Sequence, residues 1–216
     1  LQQSLDYICQ FLGDTQKSVL MEEPSYPKAR EIFKKNAYPI VTAKVDEKGL
    51  NLENIDENAR IEMIYTTPSH QFPLGMIMPI SRRQELLAFA QEKDSFIIED
   101  DYDSELRYYE RPIPALKSID YLDRVIYLGT FSKILSPSFR MSYIVLPDQF
   151  TEAFLEKFQL YNSTVNLLNQ IALANILSSG DYDRLVRKMN HVFKKRYEAF
   201  KKEFEQFQSP IKLSSN

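Results

Sequence analysis

The sequence predicts an α/β domain, a three-layer sandwich with helices on both faces of a mostly parallel mixed sheet. Three observations carry this. Short apolar segments alternate with amphipathic ones along the first 150 residues, the pattern of strands joined by crossover helices. The polar clusters fall where the apolar segments end, and a parallel sheet presents its functional groups at its strand ends. Finally, 216 residues with 44% hydrophobic and 26% charged side chains are enough to bury one large core.

Each element follows in order. Residues 1–12 set Leu5, Ile8, Phe11 and Leu12 on one helical face. No capping residue precedes them, so the expectation is a chain truncated at its start. Gly13 ends this helix, and residues 18–21 form a short strand leading into Glu22-Glu23-Pro24. Residues 26–35 read as a helix with Ala29, Ile32 and Phe33 apolar. Residues 40–45 alternate as a strand, turned by Glu47-Lys48-Gly49. A strand over 61–65 is stopped by Thr66-Thr67-Pro68. Ser81 opens a helix through Lys93 that carries Leu86, Leu87, Phe89 and Ala90. Residues 96–98, 125–128 and 143–146 are further strands, the first ending at a run of acids.

Beyond Pro147 the character is helical only. Residues 150–161 and 165–177 come first, broken by Ser178-Ser179-Gly180. Tyr182, Leu185, Val186, Met189, Phe193, Tyr197, Phe200, Phe204 and Phe207 then recur at three- and four-residue steps, predicting one long amphipathic helix. Its other face carries Arg184, Arg187, Lys188, Lys194 and Lys195, but Glu198, Glu203 and Glu205 interleave. A solvated face is therefore preferred to a nucleic-acid surface. A strand over 211–213 is expected next, with truncation there too.

Composition excludes several function classes. A net charge of -3 provides no electrostatic reason for this segment to bind DNA. Cys9, the single cysteine, rules out an intrachain disulfide framework and a multi-cysteine zinc site. Its neighbours Leu5, Ile8 and Leu12 predict a buried structural thiol. Two histidines, His70 and His191, are too few for a histidine-rich metal site, so no metal is expected. The five glycines are too dispersed for a dinucleotide or Walker-type loop. No membrane-length apolar run and no signal peptide can be written, so the expected setting is the reducing cytoplasm.

Two strand ends concentrate chemistry. The first is Ile97-Ile98-Glu99-Asp100-Asp101-Tyr102-Asp103. A buried carboxylate stripped of its partner costs about 3–5 kcal/mol, so at least one of these acids should face a cation. A protein Lys or Arg, a divalent metal and a protonated ligand nitrogen are the three choices. The second is Tyr127-Leu128-Gly129-Thr130-Phe131-Ser132-Lys133, followed by Arg140. Hydroxyls plus a guanidinium suit a phosphate group. A lysine beside them, if desolvated, becomes a usable amine nucleophile. Phosphate receptor, nucleophilic lysine and a carboxylate for a pyridinium nitrogen are together what pyridoxal phosphate requires. His70 reads as a loop histidine bonded to backbone. A Ser132–His70–Asp100 hydrolase triad lacks the G-x-S-x-G elbow that would hold it.

Residues 97–105 (Ile-Ile-Glu-Asp-Asp-Tyr-Asp-Ser-Glu), 129–133 (Gly-Thr-Phe-Ser-Lys) with Arg140, and 67–75 (Thr-Pro-Ser-His-Gln-Phe-Pro-Leu-Gly) resemble the MocR group of the GntR transcription regulators. In that group a winged helix-turn-helix precedes a fold-type-I aminotransferase-like domain. The resemblance implies that Lys133 is the Schiff-base lysine, Asp100 the carboxylate to the pyridine nitrogen, and Tyr102 the hydroxyl to the ring's O3′. Thr130, Ser132 and Arg140 are implied as phosphate contacts and Tyr26 as an aromatic neighbour of the cofactor. It implies residues 1–150 as the core of the cofactor-binding large domain and 151–216 as a helical region leading to a missing small domain. It also implies a homodimer, a small amino-group effector that displaces Lys133 to form an external aldimine, and DNA contact only through an N-terminal module. An active aminotransferase on the same scaffold is the second reading. Two departures matter. Lys28 stands where a GABA-responsive member has an arginine, supplying charge without a planar fork. Phe72 stands where ordinary aminotransferases place an asparagine, which favours a regulator.

Overall fold

The computed structural model describes residues 1–13, 16–53, 55–107, 113–161 and 163–206. Among these, α1 (Gln2–Leu12), β1 (Ser18–Glu23), α2 (Pro27–Lys35), β2 (Ile40–Asp46), β3 (Gly49–Leu50), β4 (Ile61–Thr66), α3 (Ile80–Glu92) and β5 (Phe96–Asp101) make the first half. The second half is α4 (Leu116–Ile119), β6 (Val125–Thr130), a 3-10 turn (Pro137–Phe139), β7 (Ser142–Val145), α5 (Asp148–Phe158), α6 (Leu167–Ser178) and α7 (Asp181–Gln206). Seven strands form one mixed sheet in the order β3-β2-β1-β4-β5-β6-β7. The five central strands run parallel, and β3 and β7 close the edges antiparallel.

Alternation along each central strand divides the core between two faces. Val19, Met21, Met63, Tyr65, Ile98, Ile126 and Leu128 point to one side, where they meet Leu5 and Ile8 of α1, Phe33 of α2 and Phe150 of α5. Leu20, Ile64, Ile97 and Val125 point to the other, against Leu86 and Ala90 of α3 and Leu116 of α4. Helix, sheet and helix therefore stack as the three layers that the sequence predicts. Near-continuous burial of β4 and β5 follows from being covered on both sides.

Sequence and structure differ chiefly in three places. The strand expected over 96–98 runs on to Asp101, so three of the acids are strand residues. The two-residue β3, the four-residue α4 and the 3-10 turn are too short to leave a periodic signal. Helix α3 starts at Ile80 with Pro79 before it, and no side chain caps it, so Ser81 lies inside the first turn. The strand expected over 211–213, and Phe207, lie outside the described residues. Cys9 is buried as expected, and burial pushes its thiol up to about 12. The apolar stripe of α7 is only half-covered, and its basic face lies in solvent. No helix among the described residues is long and apolar enough to cross a membrane.

Candidate functional site

The chain leaves β1 toward β2 on one side, then returns to place β4 on the other. This reversal splays the loops that follow β1 and β4, and open α/β sheets bind ligands in such crevices. A cavity of about 290 Å³ lies there. Tyr26 follows β1; Tyr65 and Thr67 stand at the end of β4; Asp100 and Tyr102 stand at the end of β5. Thr130, Ser132 and Lys133 come from the end of β6, and Arg140 and Met141 from the entry to β7. All seven residues singled out in the sequence line this one cavity, with Phe72, Leu1 and Gln2. Among the described residues, no group of His, Cys, Asp and Glu could hold a metal ion.

Strand alternation sorts the acids. Glu99 points to the α3–α4 side, accepts the backbone N–H groups of Leu116 and Lys117 at 2.9 Å each, and lies 3.7 Å from the Arg83 guanidinium. Arg83 also donates to the carbonyls of Met78, Pro68 and Pro114. Of the three cations open to the cluster, a protein arginine therefore serves Glu99. Asp101 accepts the Tyr127 hydroxyl at 2.6 Å and the Ser104 N–H at 3.1 Å.

Asp100 points the other way, into the cavity, and is 6% exposed. Its Oδ2 accepts the Tyr65 hydroxyl at 2.6 Å, while its Oδ1 is buried with no partner among the described residues. Burial pushes the Asp100 carboxyl up to about 6, against the Tyr65 hydrogen bond. Tyr65 escaped the sequence reading. It sits in a strand rich in apolar residues, and nothing local marks its hydroxyl.

The remaining groups bring corrections. His70 bonds through Nδ1 to Asp103 Oδ1 at 2.7 Å, so its partner is a carboxylate and not backbone. That bond turns His70 toward Asp103, and the Ser132–His70–Asp100 triad does not form. The Tyr102 hydroxyl donates to the His70 carbonyl at 3.0 Å, and burial with Asp103 and Asp100 nearby raises its phenol above the ordinary range. Thr130 donates to the Met141 carbonyl at 3.0 Å and accepts the Ser132 N–H at 3.2 Å. Its hydroxyl proton thus shapes the turn that carries Ser132. Lys133 is exposed, with Nζ 5.5 Å from the Tyr102 ring centre. Arg140 is exposed too and adopts a left-handed conformation after the 3-10 turn.

One wall is aromatic. The rings of Tyr26 and Phe72 pack edge to face, 5.3 Å apart at 76°. Beneath them Glu22 is buried and accepts from the hydroxyls of Thr66 and Thr67 and the amide of Gln71. Gln71 also donates to the Phe72 carbonyl at 2.8 Å and so braces the loop. Lys28 lies outside the cavity, in a separate surface hollow, and Arg30 pairs with Glu23.

Comparison with known proteins adds three findings. The sequence pattern of the family described as aminotransferase class I and II matches residues 2–214. The chain is 43% identical to the HTH-type transcriptional regulator YdeL of Bacillus subtilis over 89% of its own length and 41% of the relative's. It is 36% identical to the probable rhizopine catabolism regulatory protein MocR of Rhizobium meliloti, over 90% of this chain and 39% of that one. Among solved structures, the kynurenine aminotransferase of Pyrococcus horikoshii, determined with PMP, superposes with a TM-score of 0.88 at 29% identity. That match covers 97% of this chain and 54% of the other. The chain thus spans about two fifths of these regulators' length.

Proposed function

The chain belongs to the aminotransferase class I and II family, and from that premise we propose that it is the pyridoxal-phosphate-binding, effector-sensing and dimerisation domain of a MocR-type transcription regulator. The single observation that carries the reading is Asp100, a buried carboxylate with one oxygen left unpartnered, in a cavity shared with Lys133, Ser132 and Arg140. A buried anionic oxygen without a donor is costly, and a protonated ring nitrogen would relieve it. A cavity near 300 Å³ is at the lower end of what small-molecule sites use. The residues present therefore fit this cofactor.

When bound, pyridoxal phosphate supplies an aldehyde that condenses reversibly with amines and a ring that draws electrons. Asp100 would keep a proton on the ring nitrogen. Ser132 and Arg140 would hold the phosphate, and Thr130 orients the turn that carries Ser132. Tyr26 and Phe72 would wall the ring, Tyr102 would serve its O3′, and Lys133 would supply the resident amine. Residues 1–150 form the cofactor core, and the segment from 151 onward leads to a further C-terminal small domain.

With the cofactor bound, an effector amine would compete with the Lys133 amine for the aldehyde, and that competition would be the sensing event. The effector acts only through differential affinity for two arrangements of the protein. The reading includes DNA contact through a separate N-terminal module, in a cytoplasmic homodimer; the HTH-type regulator among the relatives supports the DNA contact. A catalytically active aminotransferase is the second reading, favoured by the superposition on the kynurenine enzyme.

The test mixes the intact protein with pyridoxal phosphate. A visible absorption band that Lys133→Ala abolishes is the expected result, and a band retained in that variant overturns the Lys133 role. Amine-dependent change in operator binding without keto-acid-dependent turnover marks the sensor. Steady turnover marks the enzyme.

A further inference from the structure

We propose that Tyr65 is a positioning residue for Asp100: its phenol occupies one carboxylate oxygen and so leaves a single, fixed oxygen for the ring nitrogen of a bound cofactor. This rests on the pyridoxal phosphate reading and deepens it by naming a residue that reading does not contain.

The argument begins with the two oxygens of one carboxylate. Asp100 Oδ2 accepts the Tyr65 hydroxyl at 2.6 Å, and Oδ1 has no partner among the described residues. A carboxylate free to rotate about its Cβ–Cγ bond could offer either oxygen to a ligand. A short bond on Oδ2 removes that freedom, and the freedom removed beforehand is not lost on binding. Tyr65 itself cannot move to compensate. It is fully buried in the middle of the sheet, with its ring against Phe33 at 5.8 Å and 73°. Parallel pairing of β4 with β5 places Tyr65 opposite Ile98, two residues before Asp100 on the same face. The bond therefore spans two adjacent strands whose register fixes it.

The direction of the bond matters as much as its length. Burial, with Asp100 and Glu22 nearby, keeps the Tyr65 phenol protonated across the working range of pH. Tyr65 is thus always the donor, and Asp100 always the acceptor. A donor that cannot reverse favours the charged form of the acid. That opposes the burial which favours the neutral form, and only the charged form can keep a proton on a ring nitrogen.

Other groups face Asp100 as well. Asp101 and Asp103 come from β5 and the loop after it and disfavour its charge. Tyr102, Lys133 and Arg140 stand around the same cavity. Among the described residues, Tyr65 is the side chain hydrogen-bonded to Asp100.

The experiment compares the intact protein with Tyr65→Phe, Asp100→Asn and the double variant. Phenylalanine keeps the buried ring, so the core is not vacated. In the cofactor-free protein, the Asp100 carboxyl is titrated by the difference infrared spectrum against Asp100→Asn. Loss of one charge-assisted hydrogen bond should raise its midpoint by about one to two pH units in Tyr65→Phe. With pyridoxal phosphate added, Tyr65→Phe should weaken binding about ten-fold or more at neutral pH. The acid limb of the binding profile should move up by the same one to two units, because binding needs the charged carboxylate and is lost as pH falls. In the Asp100→Asn background the Phe substitution should add nothing. An unchanged midpoint overturns the proposal, and so does an equal loss of affinity in both backgrounds, which is the signature of packing alone. If the unsubstituted protein fails to bind pyridoxal phosphate, the cofactor reading falls by itself. The infrared arm still decides the role of Tyr65.

Discussion

Asp100 costs the cofactor-free protein stability, and the sign of that cost can be worked out. Burial lifts its carboxyl to about 6, above an unfolded value of about 3.9. The fold therefore prefers the protonated form. The contribution is complete below the unfolded value and is lost as pH rises through the folded one. A shift of about two units corresponds to roughly 3 kcal/mol. Burial also raises Glu22 and Glu99, so they act in the same direction. The cofactor-free protein should melt at a higher temperature at pH 4.5 than at pH 7. Asp100→Asn should remove its share of that slope and leave the part due to Glu22 and Glu99, and thermal melts across the interval check it. The acid run was legible in the sequence as a place where a cation was needed. The partners were not, because Arg83, Tyr65 and Tyr127 reach the acids from other strands and helices.

At the scale of elements, two contacts hold the strand ends that carry the site. Arg83 of α3 and Glu99 of β5 are both almost wholly buried, and Arg83 also ties down the carbonyls of Met78, Pro68 and Pro114. Arg83→Leu leaves Glu99 buried beside its two backbone donors with no cation. The expected loss is about 3–5 kcal/mol in chemical denaturation, and Glu99→Gln in the same chain should recover part of it. The second contact is between β6 and β7. A Cβ on Gly129 would stand 2.2 Å from Cζ of Tyr143, which covers it. Gly129→Ala should cost about 1–3 kcal/mol and loosen the loop that presents Ser132 and Lys133. Removing the obstacle with Tyr143→Ala in the same chain should relieve the clash, which paired melting curves would show. A glycine ahead of Thr-Phe-Ser-Lys was visible in the sequence. Its reason was not, since Tyr143 lies fourteen residues on and meets it only across an antiparallel pair.

Over the whole molecule, α7 is joined to the functional loops at two points. Tyr182 donates to Glu105 at 2.9 Å and stacks edge-on against Phe131 at 5.7 Å. Asn190 donates to the Glu105 carbonyl and accepts the Arg107 N–H, each at 2.8 Å. The loop after β5 and the loop after β6 thus share one long helix. Asn190→Ala removes both of its bonds at a net cost of about 1–2 kcal/mol. Hydrogen exchange should rise over residues 103–107 and the first half of α7, while β4 and β5 stay protected. A uniform rise across the sheet would mean that α7 supports the fold as a whole and not this junction.

Apolar periodicity alone yielded the layered α/β fold, the strands, and the helical run beyond Pro147. Those features depend on neighbours a few residues apart, and spacing of two or of three to four records them directly. The two polar runs, with Arg140, also marked six residues that the fold gathers into one cavity with Tyr26, because strand ends in a parallel sheet converge whatever their separation along the chain. Pairing and exposure were settled only in three dimensions. Tyr65 with Asp100, Arg83 with Glu99, His70 with Asp103, and the solvent-facing Lys133 all depend on register between strands and on which loop folds over which. Contacts between residues sixteen to thirty-five positions apart leave no periodic trace, so sequence spacing marks the acids and the lysine but not what holds them.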